Sequence, residues 1–244
     1  MKTKFLAVLT PALAITITSI VATTGVARAD ILEFTTEYKP SVDDAAPYAG
    51  YGVTDIFKAP LSIQKFKPSW GILNSVKIDF VGDLTGDAGF ESRDAKPRTI
   101  TVDLSGLLQL QTTGGTSIFE LDPKQSYKYD VTKFDGILDF AGTSGRTLEG
   151  LTTSASGTKT YTDSSFLQSF IGNNNLDFLF TANAKSTVQG SGNITSYVNT
   201  YAKASVKVTY DYRKRVPEPS LLLGVGLVGG AGLWSKRNRN FSKA

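Results

Sequence analysis

The sequence predicts an all-β protein: an antiparallel two-sheet β-sandwich with one short helix. Period-two alternation of apolar and polar residues recurs along its middle. Glycine, asparagine and serine clusters punctuate those runs, and no heptads or strand–helix alternation appear.

Taken in chain order, Ile31 to Tyr38 is the first candidate strand. Val76, Ile78 and Phe80 then alternate with Lys77 and Asp79, and Ile100, Val102 and Leu104 with Thr101 and Asp103. Ser117 to Leu121 is a further candidate, followed by Tyr127, Tyr129 and Val131 alternating with Lys128 and Asp130. Each run puts apolar side chains on one face and polar ones on the other, as a half-buried strand requires. Turn clusters fall at Gly142 to Gly145, Gly172 to Asn175 and Gly190 to Asn193. The one helical pattern is Ser164 to Ile171, with Asp163 or Ser164 as N-cap and Gly172 as its stop. Leu176 to Val188 reads as strand, and Val206, Val208, Tyr210 and Tyr212 close the pattern against Lys207, Thr209 and Asp211. No Pro- or charge-rich linker divides this region, so a single domain is expected, with Greek-key-like connections.

Both ends depart from this pattern. Lys2 and Lys4 precede an apolar stretch from Phe5 to Val26, and Ala27-Arg28-Ala29 supplies the small-x-small pattern that signal peptidase reads. Residues 1–29 are therefore expected to be a signal peptide, with Asp30 the first mature residue. At the other end Val216-Pro217-Glu218-Pro219 precedes Leu221 to Trp234, 14 residues without charge, five of them glycine. As a helix that run covers about 21 Å, short of the ~30 Å hydrocarbon core. It makes a marginal transmembrane helix, and Lys236, Arg237, Arg239 and Lys243 behind it belong on the cytoplasmic side. Such a handle suits removal. Gly224 to Gly229 spells a dinucleotide fingerprint, but the acidic partner about twenty residues on is missing.

The ends also account for the basic balance. The chain has 26 basic and 22 acidic residues, a net +4. Seven basic residues and one acidic residue lie outside 30–215, which leaves 19 basic against 21 acidic, a net −2. No basic face for nucleic acid is expected.

The order of motif, glycine-rich apolar segment and Lys236-Arg237-Asn238-Arg239 cluster over residues 216–244 resembles a PEP-CTERM sorting signal. The resemblance implies a Gram-negative source, cleavage near Pro217, Glu218 and Pro219 by an exosortase, and a transient hold on the inner membrane. The body, the expected domain of residues 30–215, resembles the choice-of-anchor E family over about residues 31–212. That likeness rests on Phe66-Lys67-Pro68-Ser69-Trp70-Gly71-Ile72-Leu73 before the strand at Val76, on Gly190-Ser191-Gly192-Asn193, and on the closing Val208-Thr209-Tyr210-Asp211-Tyr212. It implies a bacterial surface domain and brings no activity with it.

Composition narrows the chemistry. Cysteine and histidine are both absent, so there are no disulfides, no Ser-His-Asp triad, no cysteine nucleophile and no histidine-bound metal. Carboxylate chemistry, a Ser-Lys pair, or binding alone survive. Asp83-Leu84-Thr85-Gly86-Asp87, with Glu91 and Asp94, reads as an acidic loop whose oxygens can hold Ca²⁺. A solvated connection between strands is the plainer account. Trp70, Tyr48, Tyr51, Tyr161, Tyr197 and Tyr201 can stack on sugars if exposed, but tyrosine also pairs across strands. A two-carboxylate glycosidase needs a pair that nothing selects. The expectation is therefore a non-enzymatic, secreted envelope or matrix protein of structural or adhesive type, without cofactor. A polysaccharide-binding module is the alternative, and a glycan-active hydrolase stands third.

Overall fold

A computed structural model describes residues 29–215 and the backbone of Thr16–Ile17. The signal-peptide features up to Arg28, the sorting motif Pro217, Glu218 and Pro219, the apolar run and the Lys236, Arg237 and Arg239 stop lie outside the described residues. Ala29 and Asp30 are within them. No helix among the described residues is long and apolar enough to cross a membrane.

The fold is two antiparallel sheets with one short helix, as expected. Its strands are β1 (Thr16–Ile17), β2 (Asp30–Glu37), β3 (Gly52–Val53), β4 (Ile56–Gln64), β5 (Ile72–Ser92) and β6 (Arg98–Thr112). They continue with β7 (Ser117–Leu121), β8 (Lys124–Val131), β9 (Gly145–Tyr161), β10 (Asn175–Ala184), β11 (Thr187–Gly190) and β12 (Ile194–Arg213). The first sheet runs β1-β2-β12-β5-β9, with β3 also on β12. In the second, β4 pairs with β10, β10 and β11 follow one another along one side of β6, and β7 and β8 lie along its other side. Helix α1 (Ser164–Ser169) lies between β9 and β10, and Asp163 caps it by accepting from the N–H groups of Ser165 and Phe166.

The frame of the first sheet is the β5–β12 ladder, which runs from Ile194 opposite Ser92 to Arg213 opposite Ile72. At ~3.3 Å per residue it spans about 65 Å, far longer than the usual strand. Even-numbered residues of both strands face inward: Val76, Ile78, Phe80, Leu84, Ala88 and Phe90 from β5, and Ala202, Ala204, Val206, Val208 and Tyr210 from β12, all buried. They meet Leu61, Ile63, Ile100, Val102, Leu104, Leu108, Phe178 and Phe180 of the second sheet, also buried. Each such large side chain contributes roughly 1.5–3 kcal/mol of burial.

Glycine sets how closely the sheets approach. A Cβ on Gly82 would lie 2.3 Å from Leu108 Cδ1, and one on Gly106 would lie 3.0 Å from Leu84 Cδ1. The leucines of each sheet thus fill space that glycines of the other leave open. At one pole Tyr210 donates its hydroxyl across the sandwich to the Gln64 carbonyl, at 2.8 Å. Its ring sits among Phe34, Phe66 and Phe170, with centroids 5.8, 5.8 and 6.4 Å away.

Three expectations need correction. The segment from Gly82 to Ser92 is strand and not loop, so the connection to β6 is only residues 93–97. Leu176 to Val188 is two strands, β10 and β11, each pairing with β6. Ser164 to Ile171 shortens to Ser164–Ser169, because Ile171 leaves the helix to bridge Phe66.

Candidate functional site

The four acidic residues considered for calcium do not converge. Asp83, Asp87 and Glu91 sit at every fourth position of β5 on its outward face, so neighbours lie ~13 Å apart along the strand. Oxygens sharing one Ca²⁺, each 2.3–2.6 Å from it, sit within about 5 Å of one another. Each carboxylate has its own partner. Asp83 accepts from the Ser154 hydroxyl at 2.7 Å, and Glu91, fully buried, accepts from Ser144 Oγ at 2.5 Å. Asp94 lies beyond the strand and accepts from Arg98 Nε at 2.6 Å and the Asn193 N–H at 3.2 Å. Arg98 and that N–H hold the Asp94 carboxyl below the usual carboxylate range. Among the described residues no three acidic side chains are placed to hold a metal.

Asp87 belongs to a different arrangement. The segment 39–51 folds on itself through the Ala46 N–H to Tyr51 carbonyl and Tyr51 N–H to Tyr48 carbonyl bonds, 2.9 and 3.1 Å. It carries Tyr48 onto the outer face of the first sheet, where its hydroxyl donates to Asp87. The Gly150 N–H closes the triangle, 2.9 Å from the Tyr48 hydroxyl and 3.1 Å from Asp87. Tyr48 packs on Tyr201 of β12 with centroids 5.7 Å apart. The hydrogen bond to Asp87 raises the Tyr48 pKa, and burial raises that of Tyr51 and Tyr201, with the charge of Asp83 adding for Tyr51 and that of Asp87 for Tyr201. All three hydroxyls therefore stay protonated at neutral pH, and the face presents neutral aromatic rings with carboxylates beneath.

A cleft of about 370 Å³ adjoins Tyr201, lined by Val53, Thr54, Ser186, Asn199 and Thr200 among others. Thr200 Oγ1 donates to Ser186 Oγ at 2.8 Å, and Thr54 Oγ1 to the Thr200 carbonyl at 2.8 Å. Hydroxyls, an amide and an aromatic ring side by side can bind a polar ring that also has an apolar face.

The other aromatics are scattered. Tyr197 packs against Phe140, 5.3 Å away and nearly perpendicular, farther along the same outer face and 39 % exposed. Tyr161 is taken up by Phe166, stacked at 3.8 Å. Trp70 ends a 3-10 turn, Pro68–Trp70, at the opposite end of the sandwich, stacked on Phe34. Gly71 follows with φ 152°, and a Cβ there would lie 2.1 Å from the Arg213 carbonyl oxygen, so only glycine brings the turn this close to β12. Of the six aromatics read from the sequence, the structure unites Tyr48, Tyr51 and Tyr201. The cleft residues Thr54, Ser186 and Asn199 carried no sequence signal, because they come from three separate segments.

No family model matches the chain. No curated protein matches it either. Among solved structures it aligns with one of Desmodium yellow mottle tymovirus at 7 % identity, over 89 % of this chain and 100 % of that one, with a TM-score of 0.19. A structure of infectious bursal disease virus, Gt strain, aligns at 13 % identity over 77 % of this chain and 47 % of that one, with a TM-score of 0.12. Likenesses this slight carry no argument about the fold or the site.

Proposed function

We propose that the chain is an exported structural or adhesive protein of the bacterial cell envelope or extracellular matrix. In this reading signal peptidase releases it at Ala29–Asp30, its tail holds it transiently at the inner membrane, and an exosortase cuts near Pro217-Glu218-Pro219. One observation carries the reading: motif, apolar run and basic end follow in order, starting three residues after the last strand ends at Arg213. The placement of the ends supports it. Asp30 is paired in register with Tyr212, and its carboxylate lies 3.2 Å from Lys214 Nζ, so the first residue of the mature domain in this reading and the last described residues lie at one pole. A domain displayed from that pole leaves its long outer face free for contacts. Mass spectrometry of the protein from its native host is expected to show a start at Asp30 and an end between Pro217 and Pro219. An intact tail on the mature protein overturns the reading.

The Tyr201 cleft favours a second reading, a polysaccharide-binding module. A sugar ring would stack on Tyr201 and hydrogen-bond to Asn199 and Ser186. A glycan array tests it: binding should be lost on Tyr201→Ala, and absence of any binding by the parent removes this reading while leaving the first intact.

A further inference from the structure

We propose that the pole where the two ends of the domain meet docks on an anionic lipid surface, using a cleft built around Trp70. The cleft holds about 550 Å³ between the edge of β2 and the 3-10 turn. Leu32, Phe34, Trp70 and Tyr212 form its apolar wall, and Lys214 and Arg215 stand on its rim. Phe34 and Phe66 brace the Trp70 ring, with centroids 6.2 and 5.5 Å away, and Lys67 Nζ lies 5.5 Å over it. Trp70 is therefore rigid and only half buried. On either side of the end of β12 stand two exposed isoleucines. Ile31, opposite Asp211, is 55 % exposed, and Ile72, opposite Arg213, is 40 % exposed.

Charge complementarity names the occupant. Arg213-Lys214-Arg215 are three consecutive cations in a domain whose balance is −2, and Lys67 adds a fourth at the cleft. Lys214 shares the Asp30 carboxylate, but an exposed pair of this kind is worth under about 1 kcal/mol and yields to a phosphate. Tryptophan at headgroup depth, cations on phosphates and aliphatic side chains just below are the residues a bilayer interface selects. A saccharide would gain from the Trp70 ring and from the polar groups of Gln64, Ser69 and Tyr212, but nothing from Ile31 and Ile72, which lie outside the cleft. The lipid surface accounts for all of these features together. This contact requires export to a membrane face but no cleavage, so it and the sorting reading fail separately.

The test uses the full chain with Trp234→Phe, which leaves Trp70 as the one tryptophan of two. Its fluorescence is followed on adding vesicles with brominated acyl chains, of phosphatidylcholine alone or with phosphatidylglycerol. Trp70 is expected to shift to the blue and be quenched with phosphatidylglycerol, and much less without it. Lys214→Gln with Arg215→Gln should weaken partition roughly 25-fold, about five-fold per cation. The cations of the tail are present in both proteins, so this difference belongs to the pole. An unchanged thermal midpoint checks that the variant is folded. Quenching that ignores phosphatidylglycerol, equal partition of parent and variant, or a Trp70 response to soluble alginate without one to vesicles each overturn the proposal.

Discussion

Gly82 lies near the middle of the longest strand, on its buried face, where a side chain is ordinarily wanted. Its backbone does not require glycine by φ, so alanine there should gain about 0.4–1 kcal/mol through a less flexible unfolded chain. Against this, the added Cβ would lie 2.3 Å from Leu108 Cδ1. Leu108 is fully buried, so its methyl cannot swing into solvent, and overpacking of this kind costs about 1–3 kcal/mol. Gly82→Ala is therefore expected to destabilise by about 1–2 kcal/mol net. Leu108→Ala alone should cost about 2–5 kcal/mol through the cavity it leaves. In that background the clash is gone and the new methyl fills part of the void, so Gly82→Ala should become stabilising by about 0.5–1 kcal/mol. Urea denaturation of the 30–215 domain for the four proteins of this cycle reads the coupling directly. Additive effects within about 0.5 kcal/mol, or a stabilising Gly82→Ala in the parent, would refute the close approach of the two sheets at this point.

Tyr127 accepts from the Thr152 N–H at 3.2 Å and donates to its carbonyl at 2.9 Å, so it caps the open edge of β9. Tyr127→Phe should free that edge and cause concentration-dependent association in sedimentation velocity. Tyr48→Phe removes a hydroxyl that both Asp87 and the Gly150 N–H use, and is expected to cost about 1 kcal/mol in urea denaturation. Stability should be level between about pH 5 and 9, because the chain has no histidine or cysteine side chain to titrate there. Below about pH 4 it should fall, since Asp103, held low by Ser126 and Lys124, and Asp79, where Thr158 and Lys77 outweigh burial, must take up protons on unfolding. Above about pH 10 it should fall again, since burial raises Tyr38, Tyr161 and Tyr210, which then lose protons only on unfolding. Thermal midpoints across pH check both limits.

The fold class was legible because alternation survives wherever a strand has one buried face and large apolar residues to show it, as at Val76 to Phe80 and Val206 to Tyr212. Legibility failed along the rest of β5. There Gly82, Gly86 and Gly89 with Asp83 and Asp87 have the composition of a turn, yet the first two glycines face inward to admit leucines and the aspartates face outward to meet hydroxyls. β9 was missed for a related reason: it is an edge strand whose outward positions are Thr152, Ser154, Ser156 and Thr158, so no apolar period marks it. The helix start is legible to within one residue, Asp163 or Ser164, because a cap depends only on neighbours in sequence, and the structure uses Asp163. The Tyr201 cleft could not be read, since its residues become neighbours only once β3, β10 and β12 are in place.

The same contrast between composition and placement governs the charges. A whole-chain pI of about 9.1 suggests a basic protein, and removing both ends turns the balance to −2. Neither figure describes the surface. On the outer face of the first sheet Asp79 and Asp83 on β5 stand opposite Lys207 and Lys203 on β12, so charge there is arranged for pairing across strands. At the pole, Arg213 ends the β5–β12 ladder and Lys214 and Arg215 run past it, beyond the outward aspartates of β5, beside an aromatic cleft and two exposed isoleucines. Cations with few acidic partners are free to find them elsewhere, and those at this pole directly precede Val216-Pro217-Glu218-Pro219 in the sequence. The charges of the outer face thus meet partners of opposite sign across strands, whereas those of the pole are mostly of one sign, and it is the latter that the proposed contact with an anionic surface uses.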